Sequence, residues 1–128
     1  MRLLLLVGTG SFIGGVCRYL LSTLVQAKTP SGFPYGTLLV NLLGCFLIGV
    51  LFALFEKTEV STETRLLLVT GVLGGFTTFS AFSGETYHLI RSGHFGIALT
   101  YVLISVVVGV SLTFAGAWII RTSIPAGN

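Results

Sequence analysis

The sequence predicts an all-α membrane protein with four transmembrane helices per chain, the third broken near the bilayer midplane. Three observations carry this expectation. Of the 128 residues, 53% are hydrophobic and only 9% charged, against about a quarter charged in a soluble domain. The charges are also confined: residues 29–55, 66–84 and 92–120 hold none, counting His94 as neutral. A span needs about 20 apolar residues at about 1.5 Å rise each, which places spans at 3–25, 33–55, 65–91 and 95–120. Finally, Gly71 to Phe82 packs three glycines, two threonines and a serine where the bilayer is deepest. Glycine and β-branched residues are poor helix formers. Loosened backbone in hydrocarbon survives only where it is buried in protein or lines a polar cavity, and helices broken at the midplane are where transporters place ions.

The first span follows Arg2 directly, as a signal peptide would. Its apolarity resumes past Arg18 and no A-x-A-like cleavage site follows, so it is expected to stay as a span. Gly10-x-x-x-Gly14 allows close helix approach. Arg18, one turn further, is deep enough to be costly. It either snorkels or caps helix carbonyls, or it gives an anion a positive vestibule. In the second span Thr37, Asn41 and Gly44 share a face at i, i+4, i+7 spacing. The Asn41 carboxamide needs partners in lipid. It makes either a helix–helix hydrogen bond, worth about 1 kcal/mol, or a donor for a permeant anion.

In the third span Phe79 and Phe82 share a face beside a stripe of Thr77, Ser80 and Ser83. These rings either pack, or turn electropositive edges towards a small dehydrated anion that the hydroxyls also hold. Glu85 is the one carboxylate inside any predicted span. It is the working acid of a proton-coupled exporter or the partner of Arg18. In the fourth span Tyr101 and Ser105, four apart, either continue a polar track or serve as an interfacial anchor and a backbone-bonded hydroxyl. Trp118 and Tyr35 fit the aromatic belt.

Loops are minimal, at 28–32, 56–64 and 91–94, so residues 1–128 read as one transmembrane domain without an extramembrane part. Scattered single cations give no nucleic-acid patch. Cys17 and Cys45 fall in apolar spans and suggest no disulfide or metal pair. No nucleophile elbow, phosphate loop or carboxylate pair points to an enzyme. Arg2, Lys57, Arg65 and Arg121 lie on one side; Lys28 and Arg91 lie on the other, with Arg18 nearest that side. So close a balance sets no clear orientation. Both an antiparallel homodimer and an ordinary protein with its termini inside fit it.

Taken together, Gly14-Gly15-Val16-Cys17-Arg18-Tyr19, Gly36-Thr37-Leu38-Leu39-Val40-Asn41-Leu42-Leu43-Gly44 and Gly71 to Phe82 resemble the small bacterial fluoride channels, the Fluc or CrcB family, over nearly the whole chain. Gly-Gly-Phe-Thr-Thr-Phe-Ser is the most specific match. The resemblance implies a fluoride-selective channel in the lipid of the bacterial inner membrane, letting toxic fluoride out passively. It implies an antiparallel dual-topology homodimer with two pores, and a structural sodium ion held by the Gly74 and Thr77 backbone carbonyls. The implied path residues are Asn41, Phe79 and Phe82, with Tyr101 and Ser105 beyond; Thr37, Ser80 and Arg18 join them as candidates. One departure stands out: Ala81 replaces a hydroxyl residue usual in the family. The rival is a small multidrug or guanidinium exporter. Such exporters need a membrane glutamate, usually in the first span, where this chain has Arg18 instead.

Overall fold

The computed structural model describes residues 1–29 and 31–124, and no strand occurs among them. Among the described residues, four helical spans are long and apolar enough to cross a membrane. The first is α1 (Arg2–Lys28) and the second α2 (Tyr35–Lys57). The third, Thr62–Arg91, consists of α3 (62–76) and α4 (Phe79–Arg91). The fourth is α5 (Phe95–Ser123). The helices run past the expected ends to Lys28 and Lys57, because a cation in the last turn meets the negative end of the helix dipole. Gly93, at φ 79, turns the chain from α4 into α5, with the Gly93 and His94 N–H groups donating back to the Ile90 and Leu89 carbonyls at 3.0 and 2.9 Å.

The spans pair as α1 with α3 and α2 with α5, while α1 also touches α2 and α4 touches α5. Glycines set these pairings. A Cβ on Gly10 would lie 2.8 Å from the Gly71 Cα, and one on Gly75 would lie 2.5 Å from the Ser11 carbonyl oxygen. Gly14 meets the Val72 carbonyl just as closely, and Gly49 and Gly116 do the same for Thr113 and Phe46 across α2 and α5. These close approaches replace the hydrophobic drive that lipid removes.

Gly71 and Gly75 of the third span therefore hold helices together. Gly71, Gly74 and Gly75 all sit in helical backbone, and the chain leaves the helix only at Thr77 and Thr78, midway along the span. Hydrogen bonding does widen to i→i+5 over Leu66–Leu73 and again over Ile104–Val108. Such turns are rare and gather at functional sites.

The two ends of the bundle differ. At one, Arg121 grips Glu56 at 2.8–3.2 Å and Arg2 pairs with Glu63 at 3.1 Å. Lys57 donates to the carbonyls of Ile120, Arg121 and Ile124. Arg65 donates to the Phe55 carbonyl at 3.0 Å and covers the Phe55 ring. At the other end a cavity of about 970 Å³ opens between α1, α2, α4 and α5, lined by Gln26, Phe33, Thr37, Glu85, His88 and His94 among others.

Candidate functional site

The break in the third span builds the site. Thr77 (φ −89, ψ 157) and Thr78 (φ −149, ψ 115) are extended; the Thr77 N–H keeps the Leu73 carbonyl at 2.9 Å, but the Thr78 N–H loses its helical partner. Asn41 of α2 replaces it. Its Nδ2 donates to the Thr78 carbonyl at 3.0 Å, and its Oδ1 accepts from the Thr78 N–H at 2.8 Å. The Thr78 hydroxyl then caps α4 by accepting from the Ala81 N–H at 3.1 Å. Thr77 turns its hydroxyl back to the Leu73 carbonyl at 3.0 Å. Arg18 Nε donates to the Gly75 carbonyl at 3.1 Å. This bond is of the carbonyl-capping kind, and Arg18 is not among the residues that line the 970 Å³ cavity.

A second cavity, of about 410 Å³, lies at the break. Asn41, Phe79, Phe82 and Ser105 line it, with Gly74, Thr77 and Thr78. Among the described residues its wall carries no charged side chain. The Ser105 hydroxyl oxygen is buried there without a hydrogen-bond partner, which is rare enough to need a reason. Ser80 sits outside this wall, exposed, with its hydroxyl 3.2 Å from that of Thr78. Phe79 is 79% exposed, so this chain alone covers little of its ring. Gly74 is likewise exposed, at the carbonyl end of α3.

Tyr101 is fully buried and stands between the two cavities. Its ring meets that of Phe82 at 5.1 Å, and Phe82 meets Phe79 at 5.5 Å. The Tyr101 hydroxyl donates to Glu85 Oε2 at 2.7 Å, while the Thr37 hydroxyl donates to Oε1 at 2.6 Å. Glu85 is thus not the partner of Arg18; each is satisfied elsewhere. Helical spacing told which residues share a face, but not which face meets which.

The structure therefore places Asn41, Phe79, Phe82 and Ser105 around one cavity, Thr37 at the wall of the other, and Tyr101 between them. Residues 5–117 match the family model described as CrcB-like protein, Camphor Resistance (CrcB). The chain belongs to the CrcB family. Curated relatives agree over most of their length. This CrcB chain is 42% identical to the fluoride-specific ion channel FluC of Phocaeicola vulgatus over 118 residues, 92% of this chain and 98% of the relative. It is 44% identical to that of Leptospira interrogans over 119 residues, 92% and 94% of the two chains. Against one from Thermus thermophilus the identity is 47% over 116 residues, 91% and 93%.

Two features of this CrcB chain escaped the sequence reading. One is the bonding of Glu85 to Thr37 and Tyr101. The other is Phe33, whose ring meets Tyr101 at 5.6 Å and Tyr35 at 4.7 Å. Phe33 lies in a loop, where no periodicity marks a face. The Thr37–Asn41 face was the available signal for the first.

Proposed function

We propose that the chain is the subunit of a fluoride-selective channel that lets fluoride leave passively through the bacterial inner membrane. The observation that carries this is the buried, unpartnered Ser105 hydroxyl beside an uncharged cavity walled by Asn41, Phe79 and Phe82. Fluoride is small and strongly hydrated, so a pore must replace its water with donors, and donors without full charge bind it without trapping it. Hydroxyls and ring edges are such donors. Further along, the Thr37 and Tyr101 hydroxyls converge on Glu85, at Oε1 and Oε2, beside the mouth of the path. The relatives named as fluoride-specific channels support the same ion.

The working unit on this reading is an antiparallel homodimer with two pores. The balanced loop charges support it, as do the bare Phe79 ring and Gly74 face, which a second copy can cover. A structural sodium ion belongs at that interface. Hard cations take oxygen ligands, and the carbonyl end of α3, at Gly74 and Thr77, offers oxygens at the negative end of a helix dipole. These residues fit such an ion, which would lend positive potential to an anion passing nearby.

The test is efflux from proteoliposomes, followed with fluoride- and chloride-selective electrodes. Fluoride is expected to leave and chloride to stay. Replacing sodium with a large organic cation is expected to slow the fluoride flux or split the dimer. No fluoride flux above empty liposomes rejects the channel; flux and dimer both indifferent to sodium reject the ion.

Orientation has its own test. Two extra lysines in the Arg91–His94 loop are expected to bias insertion and cut function, with recovery on co-expression of an oppositely biased copy. Full activity of the biased variant alone refutes antiparallel assembly.

A further inference from the structure

We propose that Phe33, held by Gln26, is a positioning residue of the ion path: it fixes the Tyr101 ring, and through it the hydroxyl bonded to Glu85. This rests on the reading above, in which the ion passes Phe82 and Tyr101. The aromatic contacts do not end at Tyr101. They run from Phe79 through Phe82, Tyr101 and Phe33 to Tyr35, with centroids 4.7–5.6 Å apart. Tyr101 is thus flanked on both sides, by Phe82 at 57° and by Phe33 edge-on at 77°.

Phe33 has no helix to hold it, since it precedes the first turn of α2. Gln26 supplies the constraint from α1. Its Nε2 donates to the Phe33 carbonyl at 3.2 Å and its Oε1 accepts from the Gly36 N–H at 3.1 Å. The amide spans the loop as a paired backbone would, using both of its polar ends. Gly36 brings α2 within reach, because a Cβ there would strike the Ser22 carbonyl.

The consequence lies at the mouth. Phe33 and Glu85 both line the large open cavity, whereas Tyr101 is fully buried behind them. With both ring flanks held, the phenol hydroxyl stays 2.7 Å from Glu85 Oε2. Removing the Phe33 ring frees one flank and lets water from the mouth reach the phenol–carboxylate contact. Both effects loosen the phenol–carboxylate contact beside the ion path.

A double-mutant cycle in proteoliposomes tests this. Phe33→Ile is expected to lower the fluoride rate roughly three- to tenfold, the range of a single lost aromatic pair. Gln26→Leu should follow it, and Phe33→Tyr should restore most of the rate. If Phe33 acts through the Tyr101 hydroxyl, Phe33→Ile should change the rate by less than about twofold once Tyr101→Phe is present, because coupled residues are non-additive. Losses that simply multiply overturn the proposal while leaving the channel reading intact. A wild-type protein that carries no fluoride rejects the channel reading and this proposal with it. Failure of both Phe33→Ile and Gln26→Leu to give folded protein makes the loop structural only, and also overturns it.

Discussion

Replacing Phe79 or Phe82 with isoleucine is expected to cut fluoride efflux by more than about fivefold while the chain still folds. Isoleucine keeps apolar bulk but has no electropositive edge. Phe79 is 79% exposed, so its loss removes little packing within the chain. Phe82 touches both Phe79 and Tyr101, so its replacement costs two ring pairs, about 0.5–1.5 kcal/mol each. That is tolerable for folding. For the ion, one missing donor leaves about 1–3 kcal/mol unmet, roughly five- to 150-fold in rate. Phe82→Ile should therefore cost stability two ring pairs and Phe79→Ile the one it shares with Phe82, while both cut flux. Size-exclusion profiles and electrode-measured efflux check the pair. Wild-type rates in both folded variants return the rings to packing.

The spans were legible because charge is excluded from hydrocarbon, and that exclusion is visible residue by residue. The break was legible in position but not in cause. Thr77 and Thr78 leave the helix, whereas Gly71 and Gly75 pair with α1 through Gly10 and Ser11. A glycine written in one dimension does not say whether it bends its own helix or admits another. The same limit hid the partners of Glu85 and Arg18. Glu85 meets residues 48 and 16 positions away, and Arg18 a carbonyl 57 away. Periodicity assigns each to a face, and only the packing of faces, set by the glycine seams, decides the contact. Asn41, Phe79 and Phe82 stood out because each is a polar or aromatic exception in apolar sequence; Ser105, grouped by its spacing with Tyr101, instead lines the cavity of the two rings. Phe33 did not stand out, because an aromatic residue at a span end already has an explanation in the membrane interface.

Asn41→Leu is expected to prevent accumulation of folded protein, the largest effect of any single side chain here. An average interhelical hydrogen bond in a membrane contributes about 1 kcal/mol or less, because the separated helices find other partners. Asn41 differs in what it satisfies. Its Oδ1 closes the Thr78 N–H, a backbone donor that the extended geometry takes from the helix ladder, and its Nδ2 adds a bond to the Thr78 carbonyl. In hydrocarbon an unsatisfied backbone group costs several kcal/mol, and leucine leaves the Thr78 N–H unmet. The alternative, re-forming a continuous helix through Thr78, removes the cap that starts α4 and displaces the rings. Asn41→Asp separates folding from conduction. Its carboxylate still accepts from the Thr78 N–H but no longer donates to the carbonyl, and it puts negative charge into the wall of the 410 Å³ cavity. Folded but non-conducting protein is the expected outcome, since a negative charge in that wall repels the anion at close range, whereas Glu85 is hydrogen-bonded at the open mouth. Yield and monodispersity after purification check the leucine variant, and fluoride efflux checks the aspartate one. A well-folded, conducting Asn41→Leu channel would show that Thr78 finds its partners elsewhere, and that the break does not depend on α2.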